Sequence, residues 1–120
     1  MSSAVRNILF IMCDQLRWDY LSCAGHPKLH TPNIDRLAAQ GARFSRAYVQ
    51  SPVCGASRMS FYTGRYVDSH GASWNGFPLK VGELTLGDYL RPLGMDAVLI
   101  GKTHMQADKE GMDRLGIDPE

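Results

Sequence analysis

The chain has 120 residues, 44% of them hydrophobic and 21% charged, with 13 Lys plus Arg against 12 Asp plus Glu and a formal net charge of +1. That is the composition of soluble globular material, and the length bounds it to one domain at most. Near-neutral charge with scattered basic residues leaves no electrostatic footprint for nucleic acid or an anionic membrane.

The longest apolar run, Ile8 to Cys13, is far shorter than the ~20 residues that span a bilayer. The first residues lack a charged stretch followed by an apolar one, so no signal peptide is read and a cytoplasmic location is the default expectation. Cys13, Cys23 and Cys54 make an odd count without CxxC spacing, which indicates neither a disulfide framework nor a zinc site.

Along the chain, Asn7 to Met12 is a continuous apolar stretch, too short for a helix and rich in strand formers, and it predicts a strand buried on both faces. Thr31 followed by Pro32, with Ile34, Leu37 and Ala38 at helical spacing and Gly41 as a stop, predicts a helix whose apolar stripe covers the sheet. Its Asp35 and Arg36 are expected to face solvent. Ala42 to Val49 reads as extended, and Pro52 to Gly55 as a loop leading into a short helix around Ser57 to Tyr62. Thr85 to Leu93 begins as a second amphipathic helix that Pro92 truncates or kinks, and Gly94 opens a turn. Ala97 to Ile100 is a second buried-strand candidate, closed by Gly101. Gln106 to Glu120 is polar and weakly patterned. Apolar strands alternating with amphipathic helices predict an α/β fold with a mainly parallel sheet flanked by helices.

Three polar clusters follow these segments: Asp14-Gln15, Cys54 to Arg58, and Lys102 with His104. Ligand sites gather at the C-terminal ends of strands in open α/β sheets. A carboxylate offers a hard oxygen to a divalent cation, a helix N-terminus favours an anion, and Lys, Arg and His donate to sulfate or phosphate oxygens. Together they describe a site for an oxyanion ester.

Cys54-Gly55-Ala56-Ser57-Arg58, continued by Phe61, Thr63, Gly64 and Arg65, resembles the signature of the formylglycine-dependent sulfatases. The likeness is reinforced in order by Asn7 to Asp14, by Thr31 to Leu37, and by Gly101-Lys102-Thr103-His104. It runs from Asn7 to His104. The resemblance implies the N-terminal part of an alkaline-phosphatase-like fold, residues 1–120 being a portion of a longer catalytic domain. It implies a sulfuric ester hydrolase acting on a small sulfate ester, with a homo-oligomer allowed at full length. A maturation enzyme would oxidise Cys54 to formylglycine, whose hydrate attacks with one hydroxyl and expels sulfate with the other. A divalent metal, calcium or alternatively manganese, would polarise the substrate oxygens. Asp14 and the modified Cys54 would be its ligands. Arg58, four residues after Cys54, would hold the nucleophile. Lys102 and His104 would bind the sulfuryl group, with His104 sharing in protonation of the leaving oxygen. Asn75 aligns with a substrate-contacting Asn of the phosphonate-hydrolase branch.

Two departures accompany the likeness. Asp14-Gln15 stands where many sulfatases carry an Asp-Asp pair, a feature shared with choline sulfatases and phosphonate monoester hydrolases, and it leaves the metal open. Ala56 stands where Pro is common, which leaves the maturation system open. The alternatives are a phosphonate monoester or phosphodiester hydrolase on the same scaffold and an inactive fragment, since family members bring further metal ligands from downstream. The 120-residue chain by itself is expected to be inactive. A cysteine phosphatase is disfavoured, because its phosphate loop places Arg six residues after Cys. Asn75 is equally a turn residue, given Asn75-Gly76. Cys13 and Cys23 are read as core filler, His26, His30 and His70 as structural or rim residues, and Asp19 as a turn residue.

Overall fold

The computed structural model describes residues 7–80 and 82–104. The polar stretch from Gln106 to Glu120 lies outside them. The chain divides into two compact units, Met1–Arg46 and Ala47–Glu120.

The first unit holds two short 3-10 turns, Trp18–Tyr20 and Ser22–Ala24, and helix α1, Pro32–Gln40. Thr31 occupies the N-cap position, Pro32 the first turn and Gly41 the C-cap, as the sequence predicts. The Thr31 hydroxyl does not cap its own helix. It donates to Asp35 Oδ1 at 3.0 Å, while Ser22 Oγ donates to Asp35 Oδ2 at 2.6 Å and Cys23 N to Oδ1 at 2.9 Å. Thr31 N closes the knot by donating to Ser22 Oγ at 2.8 Å. Asp35 is therefore half-buried and engaged, which corrects its expected solvent-facing role; Arg36 is exposed and donates to Asn33 Oδ1. The Ser22 hydroxyl, then Thr31 and the Cys23 amide, hold the Asp35 carboxyl below the ordinary carboxylate range. Asp19 pairs with Arg17 at 2.5 Å, and Arg17 lies over the Tyr20 ring.

Among the described residues the expected strand at Asn7 to Met12 is not formed as a strand, and its large side chains are exposed, Leu9 by 86%. A strand exists only through the ladder it makes with its neighbours. Cys13, expected in the core, is exposed for the same reason, and Cys23 is half-buried.

The second unit is built around helix α2, Cys54–Thr63, which buries Ala56, Arg58, Met59, Ser60, Tyr62 and Thr63. Met59 and Tyr62 pack with Ala72 and Leu79, and Ala97 and Leu99 lie against that cluster. Gly64 ends α2 in the left-handed region at φ 68°, its N–H returning to the Ser60 carbonyl. A short helix α3, Val67–His70, follows directly. Its His70 is wholly buried: Ala72 N donates to Nδ1 at 3.1 Å, so the proton sits on Nε2, which donates to Ser60 Oγ at 2.8 Å. Burial pushes the His70 pKa below its ordinary value.

The second amphipathic helix forms as α4, Leu86–Leu90, and passes into a 3-10 turn, Arg91–Leu93, where Pro92 withdraws an amide. Thr85, fully buried, donates to Asp88 Oδ2 through both its amide, at 2.7 Å, and its hydroxyl, at 2.9 Å. Gly94 closes the turn at φ 70°. The second strand candidate shows one bridge residue, Val98, and alternating burial: Met95, Ala97 and Leu99 are half-buried while Asp96, Val98 and Ile100 are exposed. That period of two marks an extended segment covered on one face, a correction to the expectation of burial on both. Among the described residues no helix is long and apolar enough to cross a membrane.

Candidate functional site

Cys54 is the first helical residue of α2, where the expected arrangement had a loop and a helix start nearer Ser57. Valine at the N-cap cannot supply a capping oxygen, so the first-turn amides need partners from elsewhere. Ser51 Oγ accepts the Val53 amide at 3.1 Å. Asn75 Oδ1 accepts the Gly55 amide at 2.8 Å and lies 3.5 Å from Cys54 Sγ. The remote asparagine thus caps the helix that begins at Cys54.

Asn75 also makes the turn that Asn75-Gly76 predicts. Phe77 N donates to the Trp74 carbonyl at 3.3 Å, and Gly76 takes φ 86°, as position i+2 of a type II turn requires. Its backbone turns the chain and its side chain reaches α2. Trp74 itself is exposed.

One turn along α2, Arg58 is 7% exposed and Nη1 donates to the Lys102 carbonyl at 2.6 Å. This bond ties α2 to the segment that follows Ala97 to Ile100. The tie brings Arg58, Lys102 and His104 into one neighbourhood of this unit. The Lys102 side chain is exposed. His104 is half-buried at φ 52°, a left-handed backbone uncommon for a residue with a side chain. Its Nδ1 is enclosed and has no hydrogen-bond partner among the described residues.

Asp14 belongs to the other unit, exposed in the turn Asp14-Gln15 directly after the apolar segment, with Gln15 at φ 58°. Its carboxylate is a suitable hard oxygen for a divalent cation. Among the described residues, however, no three His, Cys, Asp or Glu side chains gather into a group that could hold a metal ion.

Sequence reasoning missed two features. Gly55 is required by close approach, since a Cβ there would lie 2.7 Å from Asn75 Oδ1 and 3.3 Å from Asn75 Cα. The Ser60–His70 pair anchors the far part of α2, and nothing but the presence of His70 in the sequence announced it.

The sulfatase family model matches residues 6–118. An uncharacterized sulfatase of Escherichia coli K12 is 36% identical over 110 residues, covering 92% of this chain and 21% of the relative. Human arylsulfatase A is 37% identical over 113 residues, covering 88% and 22%. Among solved structures, the phosphonate monoester hydrolase of Agrobacterium radiobacter superposes with a TM-score of 0.77 at 32% identity, covering 88% of this chain and 23% of that one. The chain therefore spans about a fifth of the length of these proteins, and it shares its fold with an alkaline-phosphatase-like hydrolase.

Proposed function

The chain belongs to the sulfatase family, and from that premise we propose that it carries the nucleophile-bearing part of a sulfuric ester hydrolase, with Cys54 the precursor of formylglycine. The observation that carries the proposal is the seat of residue 54: first residue of a ten-residue helix, capped from Asn75, with Arg58 one turn below it tied to Lys102.

The roles follow from that seat. The first-turn amides of α2 and the positive end of its dipole favour an anionic group beside residue 54. Arg58, bound to the Lys102 carbonyl, keeps a permanent charge in the neighbourhood and fixes the start of the Lys102–His104 segment. The Lys102 side chain, on an exposed residue, is the proposed donor to a sulfuryl oxygen. His104, half-buried and two residues from Lys102, is the proposed donor of a proton to the leaving oxygen. A divalent metal, calcium or alternatively manganese, would supply Lewis acidity when bound. On the family likeness, Asp14 and, separately, the oxidised side chain of residue 54 are each proposed to offer an oxygen to such a metal. The mainly parallel sheet belongs to the same proposal, with Met95, Ala97 and Leu99 turning one face of an extended segment inward.

A second reading is favoured by the phosphonate monoester hydrolase among the structural relatives and by a single carboxylate at Asp14-Gln15. Rates of the matured protein on matched aryl sulfate and aryl phosphonate monoesters separate the two. Faster cleavage of the sulfate is expected. A preference for the phosphonate establishes the second reading, and hydrolysis of neither by a chain that carries formylglycine at position 54 and extends over the length of the relatives refutes both.

A further inference from the structure

Asn75 is exposed, yet its carbonyl oxygen is the best-constrained polar atom beside residue 54. The Gly55 amide donates to it at 2.8 Å, which fixes the amide's orientation, because the Nδ2 end cannot accept. The same oxygen lies 3.5 Å from Cys54 Sγ, within reach of a weak S–H donor. The fit depends on an absent atom: a Cβ at position 55 would stand 2.7 Å from Asn75 Oδ1, 3.3 Å from Asn75 Cα and 3.5 Å from the Trp74 carbonyl. Glycine at 55 is thus what admits the Trp74-Asn75 turn against the first turn of α2. The turn is held in place on its far side, where Lys80 Nζ donates to the Ser69 carbonyl at 2.8 Å and Leu79 packs in the core.

We propose that Asn75 is a positioning residue for the side chain at position 54: its Oδ1, oriented by the Gly55 amide, accepts the hydrogen-bond donor of residue 54 and selects that side chain's rotamer. The kinetic importance of this contact rests on the nucleophile reading of Cys54; the contact itself does not. It differs from a substrate-contacting role. An Oδ1 shared between Gly55 N–H and residue 54 faces the enzyme's own nucleophile, and a hydroxyl at 54 is a stronger donor to it than a thiol.

The test compares the unsubstituted protein with Asn75→Ala and with Asn75→Asp, which keeps a side-chain oxygen. Asn75 is exposed, so neither change empties a core site. Amide exchange at Gly55 and the Hα–Hβ couplings of Cys54 are read by NMR on protein in which residue 54 is still cysteine. In Asn75→Ala the Gly55 amide is expected to exchange about tenfold faster and the Cys54 couplings to average over rotamers; Asn75→Asp retains both wild-type values. Cys54 couplings unchanged in Asn75→Ala overturn the proposal even if Gly55 protection is lost, because Asn75 is then only a helix cap. Averaged couplings in Asn75→Asp also overturn it. In a matured enzyme that extends over the length of the relatives, Asn75→Ala is expected to lower kcat about tenfold with KM unchanged, and a rise in KM with kcat unchanged overturns it in favour of substrate contact. These NMR outcomes do not depend on oxidation of residue 54, so failure of the formylglycine reading is recognised separately.

Discussion

Replacing Arg58 by methionine tests the tie between α2 and the Lys102–His104 segment, since methionine keeps an unbranched stem of similar length and removes only the charged head. Arg58 is 7% exposed, and its 2.6 Å bond to the Lys102 carbonyl joins a guanidinium to a backbone acceptor. A hydrogen bond from a charged group contributes about 1.5–3 kcal/mol net, equivalent to roughly a ten- to 150-fold change in the folding equilibrium. Urea unfolding of Arg58→Met is expected to show a loss in that range with the slope unchanged. Because the bond is shielded, the loss persists at high salt, unlike that of a surface ion pair. Arg58→Lys, a point charge without the planar fork, is expected to fall between the two proteins. A loss below about 0.5 kcal/mol, the scale of an ordinary surface change, would refute the reasoning.

Other expectations follow from the same contacts. Ser60→Ala strips the acceptor from the buried His70 Nε2–H and is expected to destabilise the protein by about 1–3 kcal/mol in urea unfolding, despite alanine's better helix propensity. Burial lowers the His70 pKa, so its contribution to stability is complete above the unfolded value of ~6.5 and fades as pH falls through the lower folded value. Urea midpoints are expected to drop as pH is lowered below ~6.5, and a His70→Gln variant is expected to lack that slope. The Asp35 carboxyl, also held low, adds a further loss below ~3.9 that Asp35→Asn abolishes. Asp88→Ala removes the carboxylate that accepts from both the amide and the hydroxyl of buried Thr85 and is expected to cost about 1–2 kcal/mol, read by loss of amide protection over α4.

Much of the local structure was legible because the signals were local. Thr31, Pro32 and Gly41 mark the ends of α1, and Pro92 and Gly94 mark where α4 gives way to a turn. What a segment pairs with is not a local property. Asn7 to Met12 reads as a buried strand, yet among the described residues it is not formed as a strand and stands exposed. Asp35 reads as a solvent-facing helix residue, because nothing in the helix pattern reveals that Ser22 and Cys23 fold back onto it. In the candidate site, the cluster at Cys54 to Arg58 and the pair Lys102 and His104 were found from sequence order. The bond from Arg58 to the Lys102 carbonyl was not, since backbone acceptors carry no sequence signal. Asn75 reads as a turn residue or a substrate contact, and the structure shows the turn together with a bond to the Gly55 amide that carries no sequence signal.

The most direct test of the central claim is the mass of the tryptic peptide from Ala47 to Arg58, taken from the native protein under conditions that preserve aldehydes. The account predicts formylglycine or its hydrate at position 54. An unmodified thiol at Cys54 in the native host would contradict it and leave the inactive-fragment reading in its place.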